Sequence, residues 1–277
     1  MSEQTQQILQ QLFKAVETDQ IKLPSLPEVA LKIRQSVDKD NVSAVDIANL
    51  LAQDSSLSAR LLQLANSPLY RARSEIDNLQ MAVTRLGIRI VKDLVVMLAI
   101  KQTFKAKNKT IEKQFKQIWQ TSVDVAAVCR VLACDQKQID LEHAMLGGLI
   151  HNIGALPIIE LANRQPDLFN NTSIDEVIND IQGAVGEKIL SFWNFPQSLI
   201  DVTAHWNNFN RELNSPANYV DIVQAAILHT QHSPANISND WSNISAIINL
   251  GLDPNSQQLN ENMQQRLTET RESLMQI

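Results

Sequence analysis

The sequence predicts an all-α protein with two packed helical halves, and three observations support this fold class. Only 7 of the 277 residues are glycine, whereas β-sandwiches, barrels and glycine-rich nucleotide folds need many tight turns. Apolar residues recur at a spacing of three or four, and no period-two alternation typical of strands is found. Residues that commonly cap helices precede several of the apolar segments. Together these features favour short helices joined by tight turns.

The first helices are predicted from their apolar stripes and starting residues. Residues 2–18 have the pattern of a polar helix with one apolar stripe. A second helix is predicted to start at about Pro27, because proline suits the first turn of a helix. Ser43 and Asp46 have the spacing of a capping box. A third helix is therefore expected to begin directly after Ser43.

Three further helices complete the first half. Asp54 is predicted to cap a leucine-rich helix, which must end before Pro68 because the residue preceding a proline avoids the helical region. Asn78 is predicted to start a short helix that Gly87 closes. Another helix then covers residues 88–104. The first half is thus predicted to hold only short helical elements.

The second half begins after a basic, polar stretch at 105–110, which is interpreted as a solvated junction. Ser173 and Glu176 have the capping-box spacing at the start of one of the later helices. The predicted helices are 111–134, 140–163, 174–193, 197–207, 217–231 and 242–250, followed by a polar terminal helix after Asn255.

These elements predict four parts of the chain. They are an N-terminal helix, a first helical half, a second helical half and a C-terminal helical extension. No internal repeat and no low-complexity block interrupts this organisation. The predicted parts are 1–20, 21–107, 108–235 and 236–277.

The charge balance excludes two classes of function. The net charge is -6 at pH 7, and the isoelectric point is about 5.4. Nucleic acids and anionic membranes are bound through strongly basic patches. The sequence therefore predicts neither a nucleic-acid-binding protein nor a membrane-surface protein.

The termini and cysteines indicate a reducing compartment. The N-terminus carries no signal peptide pattern. The apolar stretch 90–100 contains Lys92 and Asp93 and is too short to span a bilayer. Cys129 and Cys134 would project about 140° apart on a helix, and both are interpreted as buried structural thiols. A cytoplasmic protein is expected.

The histidines do not form a known zinc motif. No HExxH, CxxC, nucleophile elbow or phosphate-binding glycine loop is present. His229 and His232 lie three residues apart and could share a metal ion, but a solvated helix end is the favoured interpretation. The five histidines are His143, His151, His205, His229 and His232.

One segment has a more specific pattern, LGGLIHNIGAL at 146–156. Gly147 and Gly148 would allow a neighbouring helix to approach closely. His151 and Asn152 form a polar pair in an apolar helix and need hydrogen-bond partners there. From these residues alone, a satisfied pair in the core is favoured over a ligand site.

Several further motifs occur in order along the chain. Those of the first half are LPSLPEV at 23–29, DSSLSARLLQLANSPLY at 54–70 and AVTRLGIRIVKDLV at 82–95. Those of the second half are WQTS at 119–122, LGGLIHNIGAL at 146–156, VGEKILSFWNFP at 185–196 and AHW at 204–206. Together these motifs resemble the HDOD family over about residues 20–230. HDOD modules are regulatory output domains related to the HD metal-dependent phosphohydrolases, so the resemblance implies a multi-helical HD-like fold.

The resemblance also implies where a metal site would lie. In active HD phosphohydrolases, histidines and aspartates hold metal ions that activate water against a phosphate ester, and their hallmark is a His-Asp dipeptide. Here the dipeptide corresponds to His151 and Asn152, so the aspartate is an asparagine. Two other expected histidines correspond to Thr121 and Gln182. At the later His-His step only His205 remains.

The resemblance also implies an aspartate in the helix predicted at 217–231. Its position falls near Ile227 in this sequence, and Asp221 lies nearby but does not align with it. Divalent cations need charged oxygen ligands or several imidazoles, so this set is predicted to bind no metal or other cofactor. We therefore expect a degenerate, non-catalytic pocket formed by Thr121, His151, Asn152, Gln182 and His205.

Three hypotheses of function follow. The favoured one is a non-catalytic bacterial signal-transduction protein that recognises a signalling protein partner or a small ligand. The first alternative is a metal-dependent phosphohydrolase with an unusual ligand set, His151, His205, Asp221 and Glu187. The second alternative is a sensor that binds the phosphate of a small ligand through Arg60, Arg85 and Arg89. The aromatic residues expected near the pocket, for which core packing is favoured, are Trp193, Trp206 and Phe209.

Overall fold

The computed structural model describes residues 1–37, 42–70, 75–106, 108–212, 216–230, 240–256 and 258–275. Within these residues all regular secondary structure is helical, which confirms the predicted fold class. The α-helices are α1 (Glu3–Glu17), α2 (Glu28–Val37), α3 (Ala44–Leu51), α4 (Ser55–Ala65), α5 (Leu79–Leu86), α6 (Ile88–Thr103), α7 (Lys109–Ala133), α8 (Leu141–Ile150), α9 (Ala155–Arg164), α10 (Ile174–Phe192), α11 (Gln197–His205), α12 (Tyr219–Leu228), α13 (Ser245–Leu250) and α14 (Glu261–Met275). Short 3₁₀ turns cover Pro68–Tyr70 and Pro166–Phe169.

Both predicted capping boxes are confirmed. At α3, the backbone N–H of Asp46 donates to Ser43 Oγ at 3.2 Å, and the Ser43 N–H donates to Asp46 Oδ2 at 3.0 Å. At α10, Ser173 and Glu176 form the same reciprocal pair. These bonds satisfy backbone donors that the first turn of a helix leaves without an intrahelical acceptor.

The prediction of one continuous helix over 140–163 is wrong. The chain forms α8 and α9, separated by a turn over residues 151–154. At Gly154 a Cβ atom would lie 2.0 Å from the backbone oxygen of Gln182 in α10. Only glycine permits this approach, so the turn brings His151 and Asn152 close to α10.

The apolar core is continuous across the junction predicted at 105–110. Helix α1 packs against α9 and α10, and one cluster of buried side chains extends from α1 to α10. Arg34 of α2 donates hydrogen bonds to the carbonyl oxygens of Trp193 and Asn194 at the end of α10. Its guanidinium also lies 4.7 Å from the centre of the Phe195 ring. The two sequence halves therefore share one core.

A second apolar cluster is formed by α12, α13 and the facing side of α7. The C-terminal helix α14 packs against α7 and against the Pro68–Tyr70 turn. Arg271 of α14 forms an ion pair with Asp124 of α7, with 2.8 Å between Nε and Oδ1. Thr270 and Leu274 of the same helix are fully buried. The C-terminal extension is thus a packed part of the fold.

Two further sequence predictions are tested by burial. Cys129 is buried as predicted, and burial raises the pKa of its thiol. Cys134 is exposed, so its interpretation as a buried thiol is wrong; it follows the last residue of α7, where the helix end reaches solvent. The segment Leu141–Arg164 is long and apolar enough to cross a bilayer, but 94% of its apolar window is buried inside the protein. That burial is typical of a core segment.

Candidate functional site

A cavity of about 310 Å³ lies between α7, α9 and α10 and is closed at one side by Trp206. We call it the His151 cavity. Four of the five residues predicted to form one pocket line it, namely Thr121, His151, Asn152 and Gln182. The long helix α7 forms one wall, the turn between α8 and α9 another, and α10 the third.

The turn between α8 and α9 fixes His151 and Asn152. His151 Nδ1 donates to the backbone oxygen of Gly148 at 2.6 Å, so the neutral ring carries its lone pair on Nε2. The ring meets the Trp206 indole edge to face, with 5.3 Å between the ring centres. Asn152 Oδ1 accepts a hydrogen bond from Ser122 Oγ of α7 at 2.8 Å. Both side chains are therefore buried and held from their own turn and from α7.

Two further residues of the lining each carry a fully buried polar atom. Gln182 of α10 is 3% exposed and Trp206 is 8% exposed. Gln182 Oε1 and Trp206 Nε1 are both buried, and neither has a hydrogen-bond partner within the described part of the chain. Thr121 is satisfied, since its Oγ1 donates to the backbone oxygen of Gln117 at 3.3 Å. The cavity wall thus combines satisfied and unsatisfied polar groups.

Close helix packing holds the walls in place. A Cβ on Gly148 would lie 2.6 Å from Cα of Ala126 in α7, which confirms the predicted close approach at this residue. At Gly147 a Cβ would meet other side chains at 3.5 Å or more, an ordinary contact, so the prediction fails there. The α7–α8 contact depends on one glycine of the pair.

His205 does not belong to the cavity. It is exposed and lines a separate open groove of about 610 Å³, together with Asp201, Asn208 and Arg211. We call this the His205 groove. Successive helical residues project about 100° apart, so at the end of α11 His205 faces the groove and Trp206 faces the cavity. The grouping of His205 with the other four residues is not supported by this placement.

The alternative ligand set is not brought together. Glu187 is exposed on α10. Asp221 caps α12 with Asn218 and forms an ion pair with Arg211, with 3.3 Å between Oδ1 and the guanidinium. Burial raises the pKa of the Asp221 carboxyl, although the Asn218 backbone, Arg211 and Asn249 lower it. Where the resemblance expects the late aspartate, the cavity is lined by Ile227.

The remaining predicted residues also lie elsewhere. Arg60, Arg85 and Arg89 belong to α4, α5 and α6 and do not line the cavity. Trp193 donates from Nε1 to the backbone oxygen of Pro24 at 3.1 Å, so it joins the two halves instead of facing the cavity. Phe209 is buried in the second apolar cluster. His229 packs edge to face on Trp241. His232 lies outside the described residues.

Three polar residues of the cavity lining were not predicted from the sequence. Gln114 and Gln117 precede Thr121 on the same face of α7, and Asp175 stands exposed at the mouth, in the first turn of α10. The spacing of three and four residues between Gln114, Gln117 and Thr121 is a signal that could have placed them on one helix face. No such signal exists for Asp175, because its place at the cavity mouth depends on how α10 lies relative to α7 and α9.

The match to a family model decides the relationship of this chain to known proteins. The model of the HDOD domain matches residues 23–209. The chain belongs to the HDOD family. A curated relative, an uncharacterized protein of Treponema pallidum, is 24% identical to this HDOD chain over 196 residues. The match spans 67% of this chain and 38% of that relative's length.

Solved structures of similar proteins have the same fold. A candidate metal-dependent phosphohydrolase from Shewanella amazonensis superposes on this HDOD protein with a TM-score of 0.82 and 27% identity, over 99% of this chain and 100% of the other. An HDOD domain protein of unknown function from Geobacter sulfurreducens gives a TM-score of 0.67 and 21% identity, over 96% and 98%. A candidate signal transduction protein from Marinobacter aquaeolei gives 0.66 and 21%, over 98% and 64%.

The HD relationship implies a divalent metal, and the residues of the His151 cavity do not fit one. Its inner polar groups are one imidazole, two amides and one hydroxyl, and no carboxylate is among them. The one carboxylate in its lining, Asp175, stands exposed at the mouth. Among the described residues no three His, Cys, Asp or Glu side chains converge on a metal position. Catalytic divalent ions in proteins are held by carboxylates or by several imidazoles.

Proposed function

We propose that this protein is a non-catalytic bacterial HDOD signalling protein. In this proposal the position of the HD metal site is a neutral recognition cavity, and the protein acts by binding a small ligand there or a signalling protein partner on its helical surface. The observation that carries the proposal is the donor set of the His151 cavity, where Asn152 and Gln182 supply amides in place of charged or imidazole ligands.

The energetics of hydrolysis support this proposal. Attack on a phosphate ester near neutral pH needs a strong nucleophile, which HD-type chemistry obtains from metal-bound water. Metal-free general acid-base catalysis would need two titratable groups of suitable pKa close to the reacting atoms. In the lining of the cavity, His151 is buried and Asp175 lies at the exposed mouth, so no such pair faces the interior.

The hydrogen bonds around Asn152 also support the proposal. Its Oδ1 accepts from Ser122, and its Nδ2 lies 3.4 Å from the backbone oxygen of Ile118. An aspartate here could accept from Ser122 but would place its second oxygen against a carbonyl oxygen. This wall of the cavity is therefore matched to an amide and not to a carboxylate.

The test is the metal content of the untagged protein, purified without chelator and measured by elemental mass spectrometry. Measurements are made before and after incubation with Mn²⁺, Fe²⁺, Ni²⁺ and Zn²⁺. We expect far less than one metal ion per chain in every sample, and no hydrolysis of a chromogenic phosphodiester.

His151→Ala and His205→Ala are the matched variants for this test. Stoichiometric metal that is lost in His151→Ala and kept in His205→Ala would overturn the proposal and favour the phosphohydrolase. Metal lost only in His205→Ala would assign a surface site to the His205 groove and leave the proposed cavity intact.

A further inference from the structure

Lysine is concentrated in one short segment of this acidic chain. Residues 101–120 contain six lysines and one acidic residue, Glu112, so their net charge is +5. The whole chain has a net charge of -6, which leaves -11 for all the other residues. A local surface of opposite sign to the rest of the molecule attracts and orients charged partners.

Three of these lysines form a stripe on the outer side of α7. Lys109, Lys113 and Lys116 are four and three residues apart, which places them on one side of the helix, and all three are exposed. About three turns after Lys113, Asp124 lies on the same side and pairs with Arg271 of α14. Helix α14 therefore covers this side of α7 at Asp124 and leaves the lysine stripe exposed.

Cations from the first half of the chain extend this stripe. Trp119 follows Lys116 by three residues, and Lys101 Nζ of α6 lies 5.6 Å from the centre of the Trp119 ring. Burial lowers the pKa of the Lys101 ammonium, and the nearby charges of Arg60 and Lys105 lower it further. We call this surface the lysine patch, and its residues are Arg60, Lys101, Lys105, Lys109, Lys113 and Lys116.

The charges of the lysine patch are not neutralised within the described part of the chain. No carboxylate of the described residues forms an ion pair with any of the six cations. Cations elsewhere do have such partners, as Arg130 does in Glu142 and Arg271 in Asp124. Like charges held close together repel each other, so carboxylates from a second molecule would lower the energy of this surface.

The surroundings of the patch favour a protein over a nucleic acid or a membrane. Sites for single-stranded nucleic acid combine cations with exposed aromatic side chains, whereas Phe104, Phe115 and Trp119 beside this patch are buried. Membrane-surface helices insert exposed apolar side chains, and none of the large exposed apolar side chains that the structure describes lies on α6 or α7. The charge of -11 outside residues 101–120 also repels an extended polyanion.

We propose that the lysine patch docks a signalling protein partner through an acidic surface of that partner, one with several exposed Asp or Glu side chains. Carboxylates on one face of the partner pair with the ammonium groups along α7. The contact is similar to the docking of α14 on the same side of α7, where one opposite-charge pair, Arg271 and Asp124, joins two helices. This inference rests on the proposed function, in which a protein partner binds the helical surface.

The experiment is fluorescence anisotropy of a labelled oligoglutamate peptide, titrated with the full chain. A labelled DNA duplex of equal net charge is titrated in the same way, and binding to vesicles of phosphatidylcholine with phosphatidylserine is measured by co-sedimentation. We expect the peptide to bind more tightly than the duplex or the vesicles. Its affinity should fall by about tenfold or more between about 50 and 500 mM NaCl, because salt screens exposed charges.

A triple charge reversal locates the site. Lys109→Glu, Lys113→Glu and Lys116→Glu together are expected to weaken peptide binding by about tenfold or more, since the stripe then repels carboxylates. All three side chains are exposed, and an acid at the first position of α7 suits the helix dipole, so the fold should be kept. Circular dichroism checks this expectation.

The matched control changes the net charge equally but leaves the lysine patch intact. It reverses three exposed lysines elsewhere and should bind the peptide within about threefold of the wild type, because only the overall charge differs. These substitutions are Lys14→Glu, Lys22→Glu and Lys137→Glu.

Four results would overturn the inference. The first three are no binding of the peptide, equal weakening in the two triple variants, and tighter binding of the duplex or the vesicles than of the peptide. The fourth is self-association, seen by analytical ultracentrifugation and abolished by the patch reversal, which would make a second copy of this chain the occupant. Because metal content is measured separately, absence of both metal and peptide binding removes this inference alone, whereas stoichiometric metal lost in His151→Ala removes the proposed function.

Discussion

The His151 cavity and the His205 groove lie on different sides of the end of α11 and differ in charge and in the burial of their lining residues. The cavity is about half as large, 310 against 610 Å³, and its interior has no carboxylate, lysine or arginine among the described residues that line it. The groove is open and is lined by ionisable side chains, among them Asp201, Arg211 and Glu212. More of the cavity's lining residues are buried, and its one carboxylate stands at the mouth, whereas the groove has a more exposed lining with several ionisable side chains.

This difference shows how the fold separates two requirements of HD chemistry. Metal-assisted hydrolysis needs carboxylate or several imidazole ligands that converge within a shaped cavity. Here the neighbouring residues His205 and Trp206 point in different directions, so the histidine lines the groove and the indole lines the cavity.

The largest expected effect concerns the turn that closes the cavity. Gly154→Ala places a Cβ 2.0 Å from the backbone oxygen of Gln182 and 2.7 Å from the backbone nitrogen of Gly186. Neither atom can move without shifting α10, so we expect a loss of about 3 kcal/mol in the free energy of unfolding. This corresponds to a decrease of roughly 6–12 °C in melting temperature, measured by circular dichroism.

Gly147→Ala is the matched control for this prediction. Its Cβ would meet side chains of Leu199, Val223 and Val202 at 3.5 to 3.7 Å, an ordinary contact distance. Alanine also favours a helix over glycine by about 0.5–1 kcal/mol, so stability should be unchanged or slightly higher. Equal destabilisation by both substitutions would show that the wall at Gly154 is no more constrained than the rest of the fold.

The sequence predicts the helices well because their signals are local. Caps such as Ser43 and apolar periodicity depend on residues within a few positions of each other, and the structure confirms them. The break at Gly154 is different, because it follows from the distant backbone of Gln182. The position of His205 is likewise set by where α11 ends against other helices. Long-range packing of this kind leaves no periodic signal in one sequence.

The next prediction compares two buried glutamines, one in the cavity and one beside the groove. Gln224 is fully buried, and its Nε2 donates to the backbone oxygens of His205 at 2.9 Å and Asn208 at 2.7 Å. Gln224 Oε1, like Gln182 Oε1, is buried without a partner among the described residues. Gln224→Met therefore removes two hydrogen bonds together with one unpaired acceptor and should cost about 1 kcal/mol. Gln182→Met removes an unsatisfied acceptor and should leave the protein equally stable or more stable by about 1 kcal/mol.

Urea denaturation of the ligand-free proteins measures both changes. Opposite signs would show that Gln182 is retained at some expense of stability, as expected of a residue kept for binding. If Gln182→Met destabilises as much as Gln224→Met does, the Gln182 amide is a structural element of α10. The contrast between cavity and groove would then have no energetic basis.

The smallest expected effect is the pH dependence of stability at Asp221, behind the groove. Burial is the largest influence and raises the pKa of this carboxyl above its ordinary value of 3.8. The folded state therefore binds the proton more readily than the unfolded state, and this residue's contribution to the free energy of unfolding increases as pH falls through the raised pKa.

Asp221→Asn removes the titration, so the variant's stability relative to wild type should decrease from pH 7 to about pH 4. Urea denaturation at several pH values measures this difference, with Asp175→Asn at the cavity mouth as the baseline. A relative stability that increases toward acid would mean that the Arg211 ion pair and the capping bonds outweigh burial, and that the charge beside the groove stabilises the fold.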